Sequence, residues 1–344
     1  MISQKFSIST PKALARCAAT LLLAAGLLTA SPVTAQQVVM KFSTQTLNDM
    51  QHEYIKVYKA ELEKATNNRM LVELYPGAQL GNQQRQSEGL RAGSIEAAIG
   101  PAELFAGVDP RFQVLAMAGL YKDVEHARRV FDLPAVRKAV ADVAAARQLV
   151  NIGLNIYDLQ SFVFKSPVTK LADFSGRRIR VLASEAEQES VKSLGGAPVP
   201  ISFGEIIPAL QQGTIDGAAS VLGVWVALRY YDVAPHMLDT RFWGIVPVVL
   251  VSKIWFDRLP PDLQQAVRDT AAKIEPEMHK WQLARVAADH KSWVEKGGKV
   301  AKLPPAEQED ASRRITTAIQ PVLAKTPAMK DFYDTLKNAA ATVQ

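Results

Sequence analysis

Cysteine is almost missing from this chain: its 344 residues hold one, Cys17. It opens the apolar stretch "CAATLLLAAGLLTA" directly behind Arg16, the wrong context for a lipid-attachment cysteine. Cleavage beyond that stretch leaves a cysteine-free chain, which excludes disulfides and thiolate metal sites. Long apolar runs are scarce as well. Past the first 35 residues the longest is "GIVPVVLV", Gly244 to Val251, which suits a buried strand and not a membrane span, so a chain outside the bilayer is expected. The common enzyme signatures are also missing: G-x-S-x-G, H-E-x-x-H, G-x-x-x-x-G-K-[ST] and G-x-G-x-x-G do not occur. His52, His126, His236, His279 and His290 show no metal-ligand spacing. These absences lower the odds of an enzyme without excluding one, and the expectation is a non-enzyme with no cofactor.

Before the apolar stretch stand Lys5, Lys12 and Arg16 with no acid among them, and after it "VTA", Val33 to Ala35, offers small residues for cleavage. This is the pattern of a secretory signal peptide over 1–35. The apolar run from Cys17 to Ala30 is about 14 residues, against roughly 20 for a spanning helix. Export to the periplasm is the expectation. Losing three basic residues and no acid takes the formal net charge from +6 to +3. That balance gives no reason to expect a nucleic-acid partner.

What is present is the balance of a globular chain, 48% hydrophobic and 22% charged, and its length favours two domains. "LRAGSIEAA" (Leu90 to Ala98) and "LQQGTIDGA" (Leu210 to Ala218) share a leucine, a glycine, a hydroxyl residue, an isoleucine and an acid in one order. Each reads as the end of a helix, a left-handed glycine stop and the start of a strand. Ser202 and Glu205 have capping-box spacing ahead of the second copy, and Pro208 should kink or shorten its helix. Helix, glycine and strand recur in any α/β chain, so the spacing alone leaves coincidence open beside a two-lobed α/β construction.

Strand-like runs alternate with helix-like ones at "VVMKFST" (Val38 to Thr44), "MLVELY" (Met70 to Tyr75), "QLVNIGLNIY" (Gln148 to Tyr157), "RIRVL" (Arg178 to Leu182) and "VPVVLVS" (Val246 to Ser252). From Pro261 to Lys296 apolar residues recur at three and four, the pattern of one long helix that Pro276 should kink or break. A short strand "KVAKL" and a helical stretch from Pro305 to Leu336 close the chain.

In "DFSGRRIRVLAS", Asp173 to Ser184, a turn leads into a strand with Arg178 and Arg180 on one face. Arg178 fits an arginine exposed at a sheet edge. Arg180 lies further along, toward the strand end where open α/β sheets place ligands, and its planar fork matches a carboxylate.

With "LYPGAQLGNQQRQSEGLRAGSIEAA", "YKDVEHARRVFD", "LADFSGRRIRV", "LGGAPVPISFGEIIPALQQGTIDGA" and "YYDVAPH" in this order behind an export signal, the sequence resembles the solute-binding subunits of tripartite ATP-independent periplasmic (TRAP) transporters. The resemblance implies a two-lobed α/β binding protein with a hinge and a central cleft that closes on a small carboxylate and delivers it to a membrane permease. It implies lobe 1 over 36–157 with 247–283 returning to it, lobe 2 over 158–246 with 300–344 packed on it, and a hinge-spanning helix over 261–296. It implies that Arg180 grips the ligand's carboxylate, and that Ser220 stands where the family commonly has an assisting asparagine. The second arginine found in many members has no counterpart in "NIYDLQSFVF", where Asp158 and Gln160 stand instead, and Leu182 replaces the usual proline.

Trp225, Tyr230, Tyr231 and Trp243 lie near the second motif, with core packing the default and Trp225 the best candidate for an apolar ligand contact. Glu103 in "GPAELF" is a candidate acceptor for a ligand hydroxyl, beside the plainer reading of a solvated loop acid. A periplasmic sensor for a signalling partner, or a secreted enzyme acting on a small acid, are the alternatives.

Overall fold

The computed structural model describes residues 37–343 together with Met1 and Gln4. The expected signal peptide and Cys17 otherwise lie outside the described residues.

Two sheets carry the chain from Val38 onward. The first contains β1 (Val38–Thr44), β2 (Met70–Tyr75), β3 (Ala97–Pro101), β4 (Leu149–Leu154) and β12 (Pro247–Ser252), in the order β2-β1-β3-β12-β4. The second contains β6 (Ser161–Phe164), β7 (Arg178–Val181), β8 (Ala197–Pro200), β9 (Gly217–Ser220), β10 (His236–Leu238) and β13 (Lys299–Ala301), in the order β13-β10-β6-β9-β7-β8. Between them β5 (Asp158–Leu159) and β11 (Gly244–Ile245) pair antiparallel, so the two crossing segments of the chain run side by side. Each sheet is covered on both faces. Along β12, Val248 and Leu250 enter one hydrophobic cluster while Val249 and Val251 enter another. In β9, Ala218 and Ala219 divide in the same way. That double burial explains the continuous apolar runs.

The sequence echo is a structural repeat. Gly93 ends the helix Gln83–Ala92 at φ +76, and Gly213 ends the helix Ile206–Gln212 at φ +71; both are in the left-handed region and return their N–H groups to the last turn. The acid that follows then reaches the neighbouring parallel strand. Glu96 accepts the Lys41 backbone N–H at 2.8 Å, and Asp216 accepts that of Arg178 at 2.8 Å. The basic side chains close the loop: Lys41 Nζ donates to the Ser94 carbonyl and Arg178 Nη2 to that of Gly213. Arg178 lies at the exposed start of β7, an inner strand between β8 and β9 and not a sheet edge.

Pro208 costs little. The reciprocal capping box of Ser202 and Glu205 starts a short 3-10 turn, and the α-helix begins only at Ile206. Pro208 thus falls in the first helical turn, where its missing N–H has no partner to lose.

The long helix runs over Pro261–Glu295 as one element, and Pro276 does not break it. Pro276 is exposed, while Ile274 and Met278 beside it are core residues. Glu275 is pinned by the Leu154 N–H at 2.9 Å and by Arg137 at 2.7 Å. Anchoring on both sides outweighs the ~3 kcal/mol that an interior proline costs. Val267 and Ile274 pack in a core of the first sheet and Trp293 in one of the second, so the helix reaches both.

The chain's end departs from the expected packing of 300–344 on the second half. Helix Pro305–Ala318 does place Ala311 and Ile315 against that half. Helix Pro327–Ala341 instead returns to the first, where Met329, Phe332 and Leu336 join Phe112 and Val130. His126 Nε2 meets the Ala340 carbonyl at 3.1 Å. Pro321 and Pro327 start new helices and turn the chain, and the apolar face of the last helix finds its complement there.

Candidate functional site

The carboxyl ends of β1, β3, β7 and β9 converge on one cleft of about 530 Å³, where open α/β sheets bind ligands. The first half contributes the hydrogen-bonding groups Gln45, Thr46, Gln51, Asn82, Gln83 and Ser87, together with the exposed charged side chains Glu88 and Arg91. Facing them are Arg180 and Ser220 among apolar Leu182, Ile201, Phe203 and Val224.

Arg180 is 2% exposed and sits in β7 opposite Val199 of β8 and Ala218 of β9. Its hydrogen bonds go to backbone carbonyls at long range, Nε to Ile201 at 3.4 Å and Nη1 to Ala219 at 3.5 Å. No carboxylate among the described residues lies within ion-pair distance, in contrast to Arg178, which Asp216 holds with both oxygens. Burial pulls the Arg180 guanidinium below its usual pKa, and Glu187, Tyr230 and Glu103 push it back up. The group stays charged, since arginine does not release its proton in proteins. A buried cation facing a cleft, with carbonyl dipoles as its only hydrogen-bond acceptors and no carboxylate in direct contact, favours an anion that can pair with it.

Ser220, at the end of β9, also lines the cleft. The other four candidates do not. Trp225 is fully buried and packs on Trp293 with ring centroids 6.2 Å apart. In the helix Leu222–Ala227 it is Val224 that reaches the cleft, and Trp225, about 100° further round, faces the core. Asp158 lies in the β5–β11 ribbon and is paired with Arg241 at 2.9 Å. Burial pushes its pKa up and Arg241 opposes this.

Gln160, beside that ribbon, is 1% exposed, and with its amide oriented to satisfy both neighbours it donates to Glu187 Oε1 at 3.1 Å and accepts from Trp243 Nε1 at 2.7 Å. Glu103 is neither a solvated loop acid nor a cleft residue. The 3-10 turn Ala102–Phe105 presents Leu104 to the cleft and turns Glu103 inward, 3% exposed, where neither carboxylate oxygen finds a partner.

The first wall was missed by sequence reasoning. Four amides in "NQQRQ", Asn82 to Gln86, were its visible signal, because a helix start so rich in neutral polar groups marks a surface made for hydrogen bonding. Gln51 is buried with an unpartnered Oε1 at the cleft. Below it Asp49 accepts from Thr46 Oγ1 at 2.8 Å and the His52 N–H at 3.0 Å. Burial lifts its pKa to about 6 against those bonds.

The family model for bacterial extracellular solute-binding proteins, family 7, matches residues 42–326. The chain belongs to this family. It is the solute-binding subunit of a TRAP transporter.

Among relatives of this subunit is the 2,3-diketo-L-gulonate-binding periplasmic protein YiaO of Escherichia coli, 27% identical over 247 residues, covering 70% of this chain and 73% of that protein. The C4-dicarboxylate-binding periplasmic protein DctP of Rhodobacter capsulatus is 25% identical, with 70% and 73% covered. Two solved structures share the fold. One is a TRAP periplasmic solute-binding protein from Xanthobacter autotrophicus with bound β-D-galacturonate, with TM-score 0.80, 24% identity and 90% and 100% of the chains covered. The other is its counterpart from Desulfovibrio salexigens with bound orotic acid, with TM-score 0.85, 20% identity and the same coverage. No helix among the described residues is long and apolar enough to cross a membrane.

Proposed function

We propose that this subunit is a periplasmic receptor that closes on a small organic monoacid with a hydroxylated body and hands it to a membrane permease. The observation that carries the reading is Arg180, the buried guanidinium of the cleft with no ion-pair partner among the described residues. Ser220 adds a hydroxyl donor on the same wall. The amides of the opposite wall suit hydroxyl groups, while Leu104, Phe203 and Val224 suit the C–H faces of a carbon skeleton. One buried cation fits one carboxylate. Sugar acids combine these features, and relatives that hold galacturonate or are named for a gulonate derivative support the choice.

The chemistry is binding without bond cleavage. The ribbon β5–β11 and the long helix join the two halves and serve as the hinge, with the stretch between helices Pro305–Ala318 and Pro327–Ala341 as a further connection. A thermal-shift screen tests the reading, because a ligand that binds only the folded state raises the melting midpoint. Hexuronates and hexonates should stabilise the receptor while their amides and the parent neutral sugars do not, and each acid should be recovered unchanged. Stabilisation by neutral sugars alone, or consumption of the acid, would overturn it.

A further inference from the structure

Near Arg180 lies a second, small cavity of about 10 Å³, space for a single water-sized guest. Glu103 and Glu187 both line it, with Gln113, Ser184, Ser190 and Trp243. The two acids come from opposite halves, Glu103 from the turn after β3 and Glu187 from the helix Glu185–Ser193 after β7. Gln113 bridges the same seam, since its Oε1 accepts from Ser184 Oγ at 3.3 Å and from the Ala186 N–H at 3.2 Å.

The two carboxyls are held differently. Glu187 Oε2 accepts the Leu182 N–H at 2.7 Å, two residues beyond Arg180, and Oε1 accepts from the Gln160 amide. Glu103 has no donor from any other residue to either oxygen, an arrangement that costs an ionised buried carboxylate far more than a neutral one. Burial pushes Glu103 well above the usual carboxyl range and the Glu187 charge adds to it. Burial lifts Glu187 to about 7, opposed by Arg180 and by its hydrogen bonds.

One guanidinium and two carboxylates carry a net negative charge if all are ionised, and a proton on Glu103 makes the set neutral. A ligand carboxylate arriving on Arg180 adds one negative charge and takes up the attraction that favours ionised Glu187. Neutrality is restored if Glu187 accepts a proton from solvent.

We propose that Glu103 and Glu187 form a proton-binding site coupled to the cleft, so that the receptor captures an acid anion together with a proton. This rests on the carboxylate reading of Arg180. The remaining titratable groups nearby are held by other partners or lack a charge to contribute. Tyr121, which feels Glu103, is neutral and donates to the Leu115 carbonyl, and Tyr230 faces Arg180 and is also neutral. Asp158 is paired with Arg241. On the Glu187 helix and the helix packed on it, Glu185 pairs with Lys325, Glu189 with Lys192 and Asp310 with Arg314, all toward solvent.

Titration calorimetry with D-galacturonate, whose own carboxyl stays ionised throughout, tests the coupling. At about pH 8 the binding heat should differ between phosphate and Tris buffers by the ionisation heat of about one proton per ligand, and affinity should fall close to tenfold per pH unit above about pH 7. Glu187→Gln should remove both the buffer dependence and the pH dependence. Binding with equal heats in the two buffers overturns the proposal.

A second measurement needs no ligand. The infrared spectrum of the free receptor at neutral pH should show a protonated-carboxyl C=O band that Glu103→Gln weakens, the remainder belonging to half-protonated Glu187, and a band that Glu103→Gln leaves unchanged overturns the proposal whether or not the sugar acid binds. Failure of galacturonate to bind with that band present counts against the carboxylate reading and leaves the proton site supported.

Discussion

Asp216 Oδ2 accepts the backbone N–H of Arg178 at 2.8 Å and the Arg178 Nε at 3.0 Å, locking the start of β7 to the turn that enters β9. Arg180 follows two residues later on the same strand. The pair therefore fixes the strand that aims the cleft's cation, without touching the cleft. Asp216→Asn should lower stability by about 1–3 kcal/mol, the range for an unmatched hydrogen-bonding group, and leave sugar-acid affinity nearly unchanged. Denaturant melts and calorimetry on the same sample check both halves, and a large affinity loss at unchanged stability would refute the division of roles.

Arg180 itself should behave in the opposite way. Arg180→Ala is expected to cost about 2–5 kcal/mol of binding, as for removing one partner of a desolvated charge pair. Arg180→Lys should recover only part of this, because a point charge cannot reproduce the bidentate fork. Stability should rise or stay level in Arg180→Ala, since an unpaired buried cation is removed. Calorimetry and thermal melts separate the two effects.

Trp225 tests the assignment to the core. Its ring fills the space against Trp293, and Tyr231 packs edge-on against Trp293 at 6.0 Å. Trp225→Ala should cost about 3–5 kcal/mol of stability, while Phe203→Ala, a cleft-wall change, should weaken ligand binding with little loss of stability. The reverse outcome in melting and binding assays would return Trp225 to the site.

Acidity should stabilise the free receptor. A carboxyl with a higher pKa folded than unfolded contributes its stability fully below the unfolded value and loses it as pH rises through the folded one. Glu187 is raised to about 7 and Asp49 to about 6, both led by burial, and burial also pushes Glu103 well above the usual carboxyl range. Asp216, held low first by its Arg178 bonds, and Asp173, held low first by the Thr169 N–H, act oppositely and lose their contribution at lower pH. The melting midpoint of the ligand-free protein should therefore fall by several degrees between about pH 5 and about pH 8. Glu187→Gln should flatten that slope, and a midpoint that climbs with pH across the window would show the buried acids to be ionised without penalty.

Gly217 in β9 takes its identity from a close approach. A Cβ there would lie 2.4 Å from the Phe164 ring and 2.6 Å from the Val163 carbonyl. Gly217→Ala should destabilise by about 1–3 kcal/mol through overpacking, a loss that a denaturant titration can measure.

While β6, β8 and β10 of the second sheet went unread, the sequence by itself determined the strands of the first sheet, the glycine stops and the place of Arg180. These are local properties: apolar runs mark strands buried on both faces, a left-handed stop needs glycine, and an arginine late in a parallel strand falls at the ligand-binding end. The order of the motifs carried the resemblance to the family, which the match over residues 42–326 shows. Tertiary structure decided where side chains on short elements point and which distant surfaces meet. Trp225 and Glu103 are each one residue from a cleft-lining neighbour, Val224 and Leu104, and packing alone selected which of the two faces the solute. The final helix found its partner on the first half because its apolar face matched a core built about 200 residues earlier, a complementarity without local signal. The polar wall of Gln51 and Asn82 and the Glu103–Glu187 pair arise the same way, from residues brought together only when both sheets are in place.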